Sequence, residues 1–358
     1  MVTATARRRE AEYRAIPIDS ASTIKLFYSD PKAYYQKYVI EEPIEEEITK
    51  ASLIGSIVHN ILFDYNTFDE KFYTSLCEEK PTEKMLDFVN ALYKYTILAT
   101  DENGVVTKEF EEIAEEAYKD SGYKQSITVV LKNFSNTGAE QYYNELLRSK
   151  PKNLTVVSKY DLSIAEEICA NLRSDEFVSE IINQETTGDI SVYTELQLEG
   201  EEYKINGLLV KGMLDKILVY HSIETIRIVD LKVTWEPGNF YEGYYLYRKA
   251  YIQAYIYYNL IVIWAKLNGY ENYIIEPPYF LVADSANFYK PLIYKLIPQD
   301  LVNAAGGFTH RGKKYAGVYE IIDNLKWARD NNEWKILLSD SVSKGIRTFE
   351  INHNDGIL

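Results

Sequence analysis

Three side chains in the stretch Gly212–Val233, GMLDKILVYHSIETIRIVDLKV, have the types and spacing to hydrolyse a phosphate ester. Asp215 sits in one run of apolar and β-branched residues; Asp230 and Lys232 sit one residue apart in the next, beyond a turn at His221–Ser222. Alternation with a period of two puts Asp230 and Lys232 on one face of their strand and leaves Val229, Leu231 and Val233 to pack on the other. Two acids and a lysine gathered in a strand are costly to desolvate. A divalent metal offsets that cost, because carboxylates offer hard oxygens to Mg²⁺, or to Mn²⁺ as a substitute, while water and phosphate fill the remaining positions. The lysine can orient or help deprotonate the attacking water and offset charge on the phosphorane-like transition state.

A D-X-K triplet alone is common on surface hairpins, where it forms cross-strand ion pairs. Here three further matches surround it. Gly55-Ser-Ile-Val-His59 reads as G-x-x-x-H on an upstream helix, Gln253-Ala-Tyr-Ile-Tyr257 reads as Q-x-x-x-Y on the helix after the triplet, and Glu195 lies on the preceding strand. The order H…E…D…DXK…QxxxY resembles that of the PD-(D/E)XK nuclease superfamily, RecB-type. The segment IGSIVHNILFDYNTFDEKFY around His59 is similar to phage RecE-like recombination exonucleases, relatives of lambda exonuclease that degrade duplex DNA. The resemblance spans roughly residues 20–75 and 190–300.

What the resemblance implies can be stated residue by residue. Asp215, Asp230, His59, Glu195 and the backbone carbonyl of Leu231 would form the metal shell. Lys232, Asp215, Asp230 and Gln253 would carry catalysis, and Tyr257, Arg248 and Lys249 would contact DNA. The function implied is a metal-dependent DNA nuclease, of phage exonuclease type, acting in recombination, repair or genome processing. A structure-specific endonuclease and a nuclease-like module that binds DNA or protein without cleavage are the alternatives. DNA is the implied partner, with a recombination or single-strand-annealing protein and self-association into a ring as further expectations. Two departures stand out: Met213-Leu214 replace the proline before Asp215, and Asp230 is one methylene shorter than the more usual Glu. The four-cysteine cluster of some relatives is absent, so no iron–sulfur cofactor is implied.

These residues need a sheet and helices to hold them. Val192–Leu198, Leu208–Tyr220 and Thr225–Val233 read as consecutive strands. They are followed by one long helix over Tyr241–Leu267 that ends at Asn268-Gly269, then strands Tyr279–Ala283 and Leu292–Leu296 and a C-terminal helix near Gly317–Asn331. Upstream, Asp30-Pro31 reads as an N-cap with Pro at the first helical position, and Ala51–Phe63 carries a helical apolar period. The expected fold is α/β: a restriction-endonuclease-like core, with a central mixed sheet flanked by helices and a helical insertion. By this reading residues 1–19 form a flexible tail with Arg7–Arg9, and Glu41–Glu47 an acidic linker. Residues 20–75 and 186–300 form the core, 76–185 the insertion, and 301–358 a helical extension packed on the core.

Composition bounds the rest. The chain has 358 residues, 46% hydrophobic and 26% charged, as in a soluble globular protein. Its net charge of −15 argues against non-specific coating of nucleic acid. The acidity is unevenly spread: residues 77–120 hold 12 acids and 5 bases, whereas residues 207–258 hold 5 acids and 6 bases. Cations expected near the chemistry are Lys211, Lys216, Lys232, Arg248 and Lys249, with Arg311, Lys313 and Lys314 further on. Two cysteines, Cys77 and Cys169, give no sign of a disulfide scaffold and fit a reducing, cytoplasmic location in a bacterial or phage-infected cell. The most apolar window, Tyr255–Ala265, is too short to span a bilayer, so no membrane partner is expected. His221, His310 and His353 have no partner pattern.

Overall fold

The computed structural model describes residues 8–42, 49–77 and 81–335. The chain gathers into two compact units, one formed by Met1–Ala51 with Asn171–Leu358, the other by Ser52–Ala170. The division therefore falls at 51/52 and 170/171, where the motif-based reading placed it near 75 and 185. Residues 43–48 of the acidic linker, Arg7, His353 and all of 336–358 lie outside the described residues.

The principal helices in chain order are α1 (Ala21–Ser29), α2 (Pro31–Tyr38), α3 (Lys50–Phe63), α4 (Glu83–Leu98), α5 (Phe110–Ser121), α6 (Ile127–Asn136), α7 (Ala139–Ser149), α8 (Lys159–Ser174), α9 (Ala250–Leu267), α10 (Pro298–Gly306) and α11 (Val318–Asn331). The principal strands are β1 (Ile190–Leu198), β2 (Leu208–Tyr220), β3 (Thr225–Thr234), β4 (Tyr279–Asp284) and β5 (Leu292–Lys295). Among the described residues no helix is long and apolar enough to cross a membrane.

The Ser52–Ala170 unit is mainly helical. Its amphipathic helices close on Phe88, Leu92, Ile113, Val130, Phe134, Tyr143 and Leu146. One short parallel pair, Phe72–Thr74 with Thr155–Val157, completes it.

The other unit is α/β, with a central mixed sheet flanked by helices. β1 pairs antiparallel with β2, β2 antiparallel with β3, β3 parallel with β4, and β4 antiparallel with β5. β4 is buried at every position, the pattern of a strand covered on both faces. The core joins Leu214, Ile217 and Val219 of β2 and Ile226 and Ile228 of β3 to Ile252, Ile256 and Leu260 of α9. Leu301 of α10 and Ile321 and Leu325 of α11 extend it. At Gly212 an added Cβ would lie 2.4 Å from Leu260 Cδ1 and 3.5 Å from Tyr257 Cε1, so the missing side chain lets α9 lie close against β2.

Two expectations are corrected here. Residues 8–19 are not a free tail: Glu10–Arg14 is a helical turn whose Tyr13 is buried and donates its hydroxyl to Leu198 O at 3.1 Å. The reason lies in Lys211, whose buried ammonium donates to the carbonyls of Tyr13, Arg14 and Ile16 at 2.8, 3.0 and 2.7 Å. Tyr13 and Arg14 lie in the last turn of a short helix, whose carbonyls lack the i+4 partners of a longer one. Arg8 and Arg9 are paired with Glu199 and Glu12. Second, the helix expected over Tyr241–Leu267 is broken. Tyr241–Tyr247 is a π-helical turn, Lys249 adopts φ +56°, and the α-helix starts again at Ala250.

Candidate functional site

The site lies where β2 and β3 part. Their ladder runs from Tyr220↔Thr225 to Lys216↔Val229 and stops one step short of Asp215 and Asp230. β3 continues beside β4 through Thr234↔Asp284. At the fork, the Leu231 N–H donates instead to the Asp215 carboxylate, at 2.7 Å from Oδ2. That bond ties the first acid to the backbone beside the second, and both carboxylates are buried.

Asp230 Oδ1 accepts from Gln253 Nε2 at 2.8 Å, and its other oxygen pairs with the Lys232 ammonium. Lys232 Nζ also lies 3.4 Å from Leu231 O, the carbonyl expected to face a metal. Burial would push the Lys232 ammonium down, but the Asp230 and Asp215 carboxylates outweigh it and hold its pKa above the ordinary lysine value. Tyr257, four residues after Gln253 on α9, has its phenol pushed well up by burial and then by the negative charges of Asp230 and Asp215. It stays protonated and able to donate. Asp215, Asp230, Lys232, Gln253 and Tyr257 are thus gathered around one fork.

Glu195 lies on β1 between the pairs Thr194↔Lys216 and Leu196↔Leu214, in the position facing Asp215. It is buried and its backbone is left-handed, φ +51°. A bulky non-glycine residue in that region is strained and must be held there by its surroundings. His59 lies on α3 in the other unit, its ring edge-on to Phe63 with centroids 5.0 Å apart. Among the described residues no three His, Cys, Asp or Glu side chains converge as a metal cage. The fork itself offers two carboxylates, and a pair of carboxylates is a set that could hold Mg²⁺, which keeps water and phosphate oxygens elsewhere.

The cations sort into two groups. Lys211 and Lys216 do not line a cleft. Both are buried, and Lys216 donates to Ile182 O and Gln184 O at 2.7 and 3.0 Å while burial pushes its pKa down to about 8. The other group is outward. Arg248 is exposed and packs over the Tyr244 ring at 4.6 Å. Lys249 donates to Ser29 Oγ at 2.8 Å. Arg311 pairs with Glu242, and Lys313 lies over the Tyr315 ring.

Sequence reasoning missed Lys25. It sits on α1, and its Nζ lies 3.5 Å from Gln253 Oε1. Burial, then repulsion from Lys232, pushes its pKa down to about 8 against the pull of Asp230. Helix α1 is fixed at its start by Ser20, whose hydroxyl caps Thr23 N at 3.4 Å, and by Asp19. Asp19 accepts from Thr23, Tyr34 and Arg329 at 3.1, 2.8 and 2.7 Å and pairs in parallel with Val210 of β2. The one signal in the sequence was weak, a lysine on the apolar face of a short helix.

No family model matches the chain, and no curated protein matches it. Among solved structures, a crystal structure from Eubacterium rectale described as "Putative exonuclease" is similar, with a TM-score of 0.46 and 14% identity over 97% of this chain and 96% of that one. A likeness of that order carries no argument, and the functional reading rests on the site.

Proposed function

We propose that this chain is a divalent-metal-dependent deoxyribonuclease of the PD-(D/E)XK type, working as an exonuclease in recombination, repair or genome processing. The observation that carries the reading is the fork: two buried aspartates on separating strands, one of them ion-paired to Lys232 and hydrogen-bonded by Gln253. A purely structural ion pair needs one acid and gains little from a second buried beside it. A phosphodiesterase has a use for both.

Asp215 and Asp230 would hold Mg²⁺, with Mn²⁺ as a substitute. When bound, the ion supplies Lewis-acid polarisation of the phosphate and a more acidic water. The protein does the positioning. The Leu231 N–H fixes the Asp215 carboxylate, and the Gln253 amide fixes the Asp230 carboxylate, so neither must reorganise as charge develops. The Lys232 ammonium, held by Asp230, lies where it can offset negative charge on the phosphate as water attacks. Tyr257 offers a phenolic donor beside the two acids, and Arg248 and Lys249 offer cations for the DNA backbone. Glu195, facing Asp215 from β1, belongs to the wider metal surroundings in this proposal.

End-labelled linear duplex and closed circular DNA, incubated with and without Mg²⁺, test the reading. Loss of the linear form alone indicates an exonuclease. Nicked circles would turn the assignment to an endonuclease, and binding without loss would turn it to a non-cleaving module.

A further inference from the structure

Among the described residues of this unit, Lys211 and Lys216 are buried and held by backbone carbonyls; the half-buried Lys25 is not. Lys211 donates to three carbonyls at 2.7–3.0 Å and Lys216 to two. The Lys25 ammonium has three N–H donors. Its hydrogen bond among the described residues is the 3.5 Å contact with Gln253 Oε1, at the outer limit for such a bond. It lies close enough to Lys232 and Lys249 to be repelled by both, with Asp230 as the compensating acid. Packing gives no reason to place a third ammonium here, and ordinary helix-surface solvation would send it away from the other two.

The placement is nonetheless firm. Asp19 and Arg329 fix the start of α1, and Lys249 holds its end through Ser29. Lys25 reaches Gln253, whose other amide atom holds Asp230 at 2.8 Å. Lys25 is thus held close to two other ammonium groups, with one long hydrogen bond for its three N–H donors. An anion with several oxygens supplies what is missing.

We infer that Lys25 binds a non-bridging oxygen of a DNA phosphodiester at the acid–lysine site, acting beside Lys232 as a substrate-holding group. The inference rests on the nuclease reading above and adds a residue to it. Through Gln253, the same ammonium also helps keep the amide oriented toward Asp230.

The test uses the full chain and a fluorescein-labelled linear duplex. Mg²⁺-dependent cleavage by the wild type is measured first, then binding by anisotropy in Ca²⁺ over a range of KCl. Lys25→Ala and Lys25→Gln should bind about tenfold more weakly and lower the slope of log K against log salt by about one. Lys25→Arg should restore both. Lys25→Gln keeps the aliphatic stem, so it decides the matter if Lys25→Ala fails to fold. Wild-type cleavage with unchanged affinity and slope in Lys25→Gln overturns this inference and leaves the nuclease reading intact. Weaker binding with an unchanged slope also overturns it, because that is the signature of a structural role. A wild-type chain without Mg²⁺-dependent cleavage overturns the nuclease reading and this inference with it.

Discussion

At the scale of single residues, the roles proposed for the fork separate cleanly under mutation. Lys232→Ala should lower turnover on the order of 10³-fold while leaving DNA and metal binding largely intact, since both aspartates remain. Asp215→Ala and Asp230→Ala should lose metal binding and cleavage together. Single-turnover cleavage of a labelled duplex, paired with a Mn²⁺ titration, reads both effects, and a Lys232→Ala protein cutting at the wild-type rate would remove the chemical argument. Period-two alternation put Asp230 and Lys232 on one strand face, while Asp215 and Gln253 were joined to them by the motif order of the resemblance, and the fold brings all four side chains together. Lys25 was not legible, because its contact is with a residue 228 positions away. Lys211 and Lys216 were misplaced for a related reason. Sequence shows that a lysine is present, but the carbonyls that draw it inward are set by tertiary packing.

At the scale of elements, β2, β3 and α9 bring the acids, the lysine and the amide together, while α1 brings Lys25. Strand limits were readable from runs of β-branched residues, and Asp30 caps α2 as expected, accepting from Ala33 N at 3.0 Å. The break before α9 was not readable, because lysine carries no signal for the left-handed backbone that Lys249 adopts. This gives an unusual expectation. Lys249→Gly should be more stable than Lys249→Ala by about 1 kcal/mol, the reverse of the ordinary helix order, because both remove the ammonium and only alanine keeps the crowded Cβ. Urea midpoints would measure the difference, and the ordinary order would show that the junction does not hold this conformation. The anchor of α1 is testable in the same way. Arg329→Ala removes a charged hydrogen bond to the buried Asp19 and should cost roughly 2 kcal/mol. A thermal melt unchanged from the wild type would mean that Arg329 does not secure the helix.

For the whole molecule, the difficulty is a net charge of −15 set against the polyanionic substrate proposed for it. Long-range repulsion slows encounter unless cations mark the entrance. Arg248 is exposed at the junction before α9, and beside it Lys249 is half-buried, its pKa pushed down by burial and then by Lys313. Reversing Arg248 and Lys249 to Glu should weaken DNA binding and flatten its salt dependence. Unchanged binding would mean that DNA enters elsewhere. The composition made the acidity plain, and the uneven spread of charge along the chain pointed to residues 207–258. Which cations face outward could be learned only from the fold.

The central claim is that the fork is a metal-dependent phosphodiesterase site. The most direct measurement follows linear duplex DNA with the wild type and Asp230→Asn, each in Mg²⁺ and in excess EDTA. Asp230→Asn keeps the shape of the side chain and removes the charge that a cation needs. The account predicts cleavage by the wild type in Mg²⁺ alone and none in the other three conditions. Cleavage by the wild type that persists in excess chelator, or by Asp230→Asn at the wild-type rate, would contradict it.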